Sequence, residues 1–369
     1  MQLSFCKLRT HQWCFLLFNV LLFHALLFGA DFVEEYLLQA FPGTYTDLKV
    51  LEVRERARKL DMTTARGNIS QQYTINYPEA CSGQDVFLLV LIFSAPDNAH
   101  RREAIRRTWA NRTHVQECLI RTLFVLESPR SLSTQATVLR EAELHSDIIQ
   151  GRLIESPGNL TPKTLLAMQW VVTYCPFARF ILQANETAFV NLMALGDYLL
   201  TLRRHPEDLY IGRVVHQEMP DREPNSPHFL SPNQYRDKYF PDYCTGSAFV
   251  LSQDVARKVI VASEEVHFPV PYDVFIGICV RKAGVVPTHS ARFSGERHIR
   301  YNACCYQFIF SSANVGDDQL DSIWQDLRDE RSCSLLETYY GLVACKALTY
   351  LDKFSFFNTG TISDADSNG

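Results

Sequence analysis

The longest apolar stretch of the chain lies near its N-terminus, at residues 13–30. It holds 18 residues without a formal charge, which is near the lower limit for a helix that spans a bilayer. Lys7 and Arg9 precede the stretch, so the positive-inside rule places residues 1–12 in the cytosol. The acidic residues that follow it are Asp31, Glu34 and Glu35. The pattern predicts an uncleaved signal anchor, with the rest of the chain in a lumen.

A cleaved signal peptide is the alternative interpretation of this stretch. Its cleavage site requires small residues before the cut, whereas Phe28 stands three residues before Asp31. Residues 31–80 mix short apolar stretches with many charges and predict a stem. We expect a lumenal domain to follow at 81–350, and a disordered tail at 351–369.

Strand-like and helix-like patterns alternate within the lumenal part. Residues 86–93 form a continuous apolar run, as expected for a parallel strand that is covered on both faces. Further strands are predicted at 122–126, 179–183 and 209–213, and helices at 99–109, 134–145, 159–174 and 190–202. This order predicts an α/β domain with a mostly parallel sheet.

Composition and charge exclude two classes of protein. The 369 residues are 47% hydrophobic and 21% charged, which is typical of a globular rather than a disordered chain. The formal net charge of −5 provides no basic footprint, so we expect no nucleic-acid partner.

Cysteines and sequons agree with a lumenal location. Nine of the 11 cysteines follow the anchor, and because nine is odd, at least one thiol is free or pairs with another chain. Adjacent Cys304 and Cys305 are expected to be two separate half-cystines, or one half-cystine and a free thiol. The candidate N-glycosylation sites are Asn68, Asn111 and Asn159, and a fourth sequon begins at Asn185.

Seven segments occur in an order that resembles one enzyme family. They are the run VFLLVLIFSAP at 86–96 with 101–109, then 147–150, 159–164, 189–191, 209–214, 242–252 and 273–279. Over about residues 84–335 the chain resembles the β-1,3-galactosyltransferase and β-1,3-N-acetylglucosaminyltransferase family of type II Golgi membrane enzymes. The resemblance implies an α/β glycosyltransferase A-type domain after a transmembrane helix and stem, a UDP-sugar donor, Mn²⁺ and inversion at the anomeric carbon.

The resemblance implies that Asp273 is the base that takes the proton from the acceptor hydroxyl. A proline-bounded turn precedes it and an apolar helical pattern follows, so Asp273 is expected near a helix start. The alternative role is a helix N-cap, a position that favours Asp without any catalysis. Tyr272 stands where the family has an acid, and this departure concerns contacts with the acceptor.

The resemblance also implies donor contacts for Arg102, Arg106 and Lys163, beside the phosphates. Arg102 and Arg106 lie four residues apart and therefore share a helix face. A solvated basic face, or pairing with nearby acids, is the alternative for the arginines, and an ordinary surface lysine is the alternative for Lys163. Gly246 matches a stretch where the family's backbone approaches the sugar, although a turn beside a core strand explains the glycine equally well.

The metal-binding triplet of the family falls on Asn185, Glu186 and Thr187, where donor contact is expected. In an extended segment residues 185 and 187 point to one side and 186 to the other, so Glu186 does not automatically replace a lost ligand. The histidine ligand of the family falls on Ala313. Mn²⁺ is thus implied by the resemblance, whereas Asn185, Thr187 and Ala313 bring no negative charge to it.

Two functional hypotheses follow. The first is an inverting β-1,3-glycosyltransferase that moves galactose or N-acetylglucosamine from a UDP-sugar to a glycan acceptor on a glycoprotein or glycolipid, and the retained Asp273 supports it. The second is a catalytically inactive glycosyltransferase-like protein that binds a glycan or a partner transferase. The substitutions at 185–187 and at 313 support this alternative. The sequence alone does not choose between the two donor sugars.

Overall fold

A mixed, mostly parallel sheet forms the centre of the molecule in the computed structural model, which describes residues 10–37, 47–60, 70–155, 160–202, 206–226, 229–328 and 333–359. Its strands are β1 Tyr73–Ile75, β2 Val86–Phe93, β3 His114–Val115, β4 Cys118–Ser128, β5 Ile148–Ile154, β6 Phe180–Asn185, β8 Tyr210–Val215, β9 Tyr243–Ser252 and β10 Thr288–His289. The order is β1-β5-β4-β2-β6-β9-β8-β10, with β3 paired to β4. Two further strands, β7 Phe189–Val190 and β11 Ser311–Ser312, pair with each other. The α/β alternation predicted from the sequence is confirmed.

Helices cover both faces of this sheet. They are α1 Thr10–Phe32, α2 Leu48–Lys59, α3 Ala99–Arg107, α4 Leu132–His145, α5 Leu160–Tyr174, α6 Leu192–Thr201, α7 Gln253–Ser263, α8 Tyr272–Lys282, α9 Ala303–Phe308, α10 Asp317–Arg328 and α11 Leu335–Thr359. One apolar layer lies between the sheet and α2, α5, α7 and α8, and the other lies between the sheet and α3, α6, α9 and α10. Every residue of β2 is buried, because its side chains enter the two layers alternately.

Strand direction sets where the chemistry can lie. β2 runs parallel to β4 and β6, whereas β9 runs antiparallel to β6 and β8. The carboxyl ends of β2 and β6 therefore meet the amino end of β9 at one edge of the sheet. Ligands of open α/β sheets bind beyond the carboxyl ends of such strands.

The predicted stem at 31–80 differs from the structure in its second half. α2 buries Val53 and Ala57 against the domain, and Arg54 pairs with both carboxylate oxygens of Asp208, at 2.9 and 3.0 Å. β1 adds to the edge of the sheet beside β5. Two apolar residues four apart are enough to bury one face of an otherwise charged helix. The predicted tail also begins too early, because α11 continues through residue 359.

α1 is long and apolar enough to cross a membrane, and residues 11–23 of it are exposed. It continues as a π-helical turn at Val33–Leu37. In its C-terminal half, His24 and Asp31 contact the domain, and buried Leu27 lies on the same face. The predicted anchor therefore corresponds to a helix whose N-terminal part lies away from the domain.

Three disulfides join parts of the described chain: Cys81–Cys175, Cys304–Cys333 and Cys305–Cys345. The prediction that Cys304 and Cys305 are two separate half-cystines is confirmed. Among the cysteines that the structure describes, the free ones are Cys14, Cys118, Cys244 and Cys279. Of the candidate glycosylation sites, Asn111 is exposed at the end of the turn Trp109–Asn111, whereas Asn68 and Asn159 lie outside the described residues.

Candidate active site

Asp273 occupies the first turn of α8, and it is not the N-cap. The N-cap is Pro271, whose fixed backbone angle suits a helix start. The carboxylate of Asp273 accepts the Val274 amide at 2.9 Å and the Thr245 hydroxyl at 3.1 Å. The side chain is 93% buried, since only 7% of its surface is exposed. The N-cap interpretation is therefore wrong. A desolvated carboxylate lies at the edge of the sheet where β2 and β6 end and β9 begins.

Burial raises the pKa of Asp273, because desolvation penalises its charged form. The two hydrogen bonds lower the pKa in part, and the negative charge of Glu296 raises it further. The ion pairs formed among the described residues include none at Asp273. A carboxylate with a raised pKa and no cationic partner is a stronger base than an ordinary aspartate.

Tyr272 connects two predicted site residues. Its hydroxyl donates to the carbonyl of Gly246 at 2.9 Å, and its hydroxyl also shares a hydrogen bond with the side chain of Asn185. Burial and the charge of Asp273 raise the pKa of Tyr272. The two positions where the chain departs from the family acids, 185 and 272, are thus in contact with each other.

The structure explains Gly246 through a close approach of two backbones. Its φ is +95°, and a Cβ atom there would lie 2.2 Å from the carbonyl carbon of Gly295. The loop that contains Gly295 also accepts hydrogen bonds from the amide and hydroxyl of Ser247, at 3.4 and 3.2 Å. Gly246 therefore fits the alternative interpretation, a tight turn, because the backbone that it approaches is that of Gly295.

Glu186 turns away from its two neighbours in the triplet. Its carboxylate accepts the Ser94 hydroxyl at 2.5 Å, the Ala95 amide at 3.3 Å and the Asn98 side-chain amide at 2.6 Å. These partners belong to the loop between β2 and α3. Glu186 therefore organises that loop, as its position opposite 185 and 187 in an extended segment predicts.

Arg102 is fully buried, and each of its five guanidinium hydrogens has a partner. It forms a bidentate pair with Glu141 at 2.7 and 2.8 Å, and it donates to Ser94, Ala95 and Pro96. Arg106 pairs with Glu141 and Asp147, both at 2.8 Å. Arg102 therefore has no N–H group left to contact the sugar donor. The alternative interpretation, pairing with nearby acids, applies to both arginines.

Lys163 lies below the same loop and is 94% buried, with 6% of its surface exposed. Its ammonium donates to the carbonyl of Ser94 at 3.0 Å. Burial lowers the pKa of Lys163, while the charges of Glu127, Glu186 and Glu155 oppose that shift. Lys163 is a core lysine, so the surface interpretation is wrong, and its charge faces the strand end where Glu186 lies.

The ligand positions of the implied Mn²⁺ do not form a cation site in this part of the molecule. Thr187 is exposed, and its carbonyl accepts the Val315 amide at 2.9 Å. Ala313 is buried, and its carbonyl contacts Nδ1 of His298 at 3.1 Å. Together with neutral Asn185 and the engaged Glu186, these residues bring no free carboxylate to the strand end. The donor set does not fit a divalent cation, which prefers several charged oxygen ligands.

A group of ligand-type side chains exists elsewhere, at the junction with α1. It contains Asp31, Glu34 and His289. Asp31 already pairs with Arg213 and Lys346. Nδ1 of His289 accepts the Val214 amide at 3.3 Å, so Nε2 carries the proton and lies 3.1 Å from Glu34. Asp31 is therefore engaged by two cations, whereas Oε2 of Glu34 and Nε2 of His289 are buried without a hydrogen bond.

Sequence reasoning missed two features of the site. The negative charge of Glu296 raises the pKa values of Tyr243, Tyr272 and Asp273. In sequence, 23 residues separate Glu296 from Asp273. Arg101 connects the triplet turn with the segment after β11, because it donates to the carbonyls of Glu186, at 2.7 Å, and of Val315, at 2.9 Å. No local pattern marks Glu296. Arg101 stood inside the basic run 101–107, but nothing in the run distinguishes it from Arg102.

Sequence comparison finds relatives of this chain among galactosyltransferases and N-acetylglucosaminyltransferases. A family model described as Galactosyltransferase matches residues 100–291. Human beta-1,3-galactosyltransferase 9 is 52% identical over 364 residues, which are 99% of this chain and 98% of that protein. Human lactosylceramide 1,3-N-acetyl-beta-D-glucosaminyltransferase is 36% identical over 298 residues, 78% of this chain and 79% of that protein.

One solved structure resembles the chain remotely. A mannosyltransferase from Pyrobaculum calidifontis, in complex with GDP-Man and Mn²⁺, is 8% identical and has a TM-score of 0.27, with 83% of this chain and 86% of that one covered. Values this low support no argument about the metal or the ligand of this chain.

Proposed function

Because this chain belongs to the galactosyltransferase family and is a hexosyltransferase, we propose that it transfers galactose or N-acetylglucosamine from a UDP-sugar to a glycan acceptor. The linkage formed is β-1,3, and the anomeric carbon is inverted. The observation that carries the proposal is Asp273, a buried carboxylate with a raised pKa and no cationic partner at the catalytic edge.

In this mechanism Asp273 acts as the general base. It removes the proton from the acceptor hydroxyl while the hydroxyl oxygen attacks the anomeric carbon, and the bond from that carbon to the UDP oxygen breaks. UDP leaves with the bonding electron pair, and the proton remains on Asp273. The Thr245 hydroxyl and the Val274 amide orient the carboxylate but leave it lone pairs for the acceptor.

The acceptor is proposed to bind along a rim of aromatic and acidic side chains next to Asp273. Tyr272 contributes a ring and a hydroxyl, and Glu218 and Glu296 contribute carboxylates. The Tyr243 hydroxyl donates to Glu218. Such groups recognise sugars, since rings pack on the apolar face of a pyranose and carboxylates accept its hydroxyls.

The donor diphosphate is proposed to lie by Asn185 and Thr187, with Lys163 as a cation that faces the same strand end. Lys163 forms no ion pair among the described residues. Arg102, by contrast, is fully engaged and supports the loop between β2 and α3. Arg106 pairs with Glu141 and Asp147. Because the residues at the ligand positions do not fit Mn²⁺, no step of the mechanism is assigned to a metal. We expect transfer to depend little on added Mn²⁺.

The test is UDP release by the purified full-length chain in detergent micelles, with UDP-galactose or UDP-N-acetylglucosamine and a panel of sugar acceptors, with and without Mn²⁺. Acceptor-dependent release that disappears in Asp273→Asn supports the proposal. If neither UDP-sugar released UDP, with or without Mn²⁺, the proposal would be contradicted. Release that requires Mn²⁺ would contradict only the metal-free part.

The alternative function, a catalytically inactive protein that binds a glycan or a partner transferase, is favoured by the engagement of Glu186 and the neutral residues around it. Binding would then be the same in Asp273→Asn as in the natural protein. A glycan array probed with both proteins, run beside the UDP assay, separates the alternatives, because only the enzyme loses function with this substitution.

We also propose that α1 anchors the protein as a single-pass type II protein of the Golgi membrane, with the domain in the lumen. The observations that support this are the apolar composition of α1, its exposure and the basic residues Lys7 and Arg9 before it. Microscopy of the tagged chain with a Golgi marker, combined with protease protection of a C-terminal tag in sealed vesicles, tests both location and orientation.

A further inference from the structure

Residues 335–351 of α11 expose apolar side chains to their surroundings. We call this the outer face, and its residues are Leu335, Leu336, Tyr339, Tyr340, Leu348 and Leu351. The exposed fraction reaches 91% at Leu335, 69% at Leu336 and 66% at Tyr340. Between residues 335 and 351 the charged side chains are Glu337 and Lys346 alone. An apolar helical face of this length in contact with water is unfavourable, and it marks a surface that is covered in use.

Covalent bonds hold α11 so that this face cannot turn inward. The opposite side of the helix contains Cys345, which is bonded to Cys305 of α9, and Cys333 just before the helix is bonded to Cys304. Gly341 lies against the domain so closely that a Cβ atom would be 3.0 Å from the Cβ of Cys304. The orientation of the outer face is therefore a fixed property of the domain.

The outer face continues into α1. Lys346 pairs with Asp31 at the C-terminal end of α1, and its ammonium lies 4.5 Å from the ring centroid of Phe28. One more contact lies deeper in α1, where the ring of His24 stacks on Tyr339 at 5.9 Å and its Nε2 shares a hydrogen bond with the Tyr339 hydroxyl. α11 is thus fixed beside the segment of α1 that enters the membrane.

The contact between His24 and Tyr339 has the chemistry expected within a bilayer. Nδ1 of His24 contacts the Val20 carbonyl at 2.6 Å, so both ring nitrogens have partners. In hydrocarbon an unpaired polar group is costly, and a polar residue in a spanning helix is stable only when a neighbour satisfies it. Tyr339 supplies that neighbour, and tyrosine is a residue type that favours the membrane interface.

We propose that the outer face of α11 lies in the lumenal leaflet of the membrane that α1 spans. The inference rests on the proposed anchoring by α1. The same contacts hold the catalytic edge beside the leaflet, because Arg213 pairs with Asp31 at 2.7 Å and is the cross-strand partner of Thr245, which binds Asp273.

The test is photolabelling of the full-length chain in nanodiscs that contain a lipid with a diazirine in its acyl chain, followed by peptide mass spectrometry. We expect label on α1 and on peptides from 335–351. Peptides from α4 are the internal control, since its Leu132 is 88% exposed but lies outside the proposed contact. The double variant Leu336→Glu, Tyr340→Glu should lose label on α11 and keep it on α1.

The matched control variant is Leu132→Glu with Leu144→Glu, which changes two exposed leucines of α4 and should leave labelling of α11 unchanged. Label on α1 without label on 335–351 would overturn the inference and leave the anchor intact. Absence of label on α1 would overturn the anchor, and the inference with it. Equal labelling of α4 and α11 would also overturn it, because the label would then report exposure alone.

Discussion

The proposed acceptor end and the proposed donor end of the sheet edge differ in how their charges are used. At the acceptor end, Asp273 is buried with hydrogen bonds from Thr245 and Val274 and without a cation. At the donor end, Glu186 accepts three hydrogen bonds from one loop, and Arg102 donates to Glu141 and three other groups. The proposed acceptor end retains a carboxylate without a cationic partner, whereas the charges of the proposed donor end hold the loop in place.

This difference shows why charge type alone is a weak guide to a site. A carboxylate that is surrounded by donors is stable and has little capacity for chemistry, while a desolvated one with few partners is poised to take a proton. Glu186 and Asp273 are both acids beside strand ends, and only their partners distinguish them.

The largest expected effect tests the acceptor end. Asp273→Asn removes the proposed base, and we expect acceptor-dependent UDP release to fall by about 10²–10⁴-fold, which is the usual contribution of a general base. Glu264→Gln is the control, because Glu264 is exposed and pairs with Arg56 at a distance from the site. A rate within a factor of about two of the natural enzyme would show that Asp273 is not the base.

The second prediction tests whether the arginines of the donor end are structural. Arg102→Met removes the bidentate partner of the buried Glu141 carboxylate. We expect the free energy of unfolding to fall by about 3–5 kcal/mol. Arg107→Met is the matched control on the same helix, since the Arg107 side chain is 49% exposed and its pair with Asp321 should contribute about 0–1 kcal/mol. The measurement is thermal unfolding of both variants. Equal effects would mean that the buried network is not what stabilises the loop.

The third prediction concerns the missing charge at the triplet. Asn185→Asp places a carboxylate beside Tyr272, and we expect Mn²⁺ to tighten UDP binding by about tenfold in this variant, which is on the order of 1.4 kcal/mol. Calorimetric titration with UDP, with and without Mn²⁺, compares the variant with the natural protein. Tight Mn²⁺-dependent binding in the natural protein would contradict the assignment of a degenerate metal site.

The smallest expected effect is on stability as a function of pH. The pKa of Asp273 is raised in the folded state, so folding favours its protonated form. The corresponding stabilisation is complete below the ordinary pKa and is lost as the pH rises through the raised value. Asp273→Asn, which stays neutral, should therefore unfold at a higher temperature than the natural protein at about pH 7, and the difference should shrink towards pH 4. A difference that grows on acidification would contradict the burial of a charged Asp273.

The activity should also depend on the charge state of Asp273, but here the ionised form is required. The base works only when it is ionised, so the acidic limb of the profile of kcat/KM against pH should lie above the pH expected for an ordinary aspartate. A limb at or below that pH would mean that burial of Asp273 is relieved in the free enzyme.

Much of the fold could be predicted because it depends on local patterns. The apolar run at 86–93 became β2 with the same bounds, and the polar triplet at 185–187 lies at the strand end where it was expected. α2 was missed because Val53 and Ala57 are two small apolar residues among charges, and burial of so short a stripe is decided by the surface it meets. The role of Asp273 and the donor contacts stay predictions.

The sequence by itself determined the family, the alternation of helices and strands, the apolar N-terminal helix and the positions of the candidate acids, since hydrophobic periodicity and motif order are properties of neighbouring residues. Only the tertiary structure decided which charges are available. The partner of Arg102 on α4 is 39 residues away, the hydroxyl that binds Glu186 is 92 residues away, and the hydroxyl that binds Asp273 is 28 residues away. Hydrogen-bond partners this distant in sequence are brought together by the packing of the sheet and its helices, and no local pattern contains them.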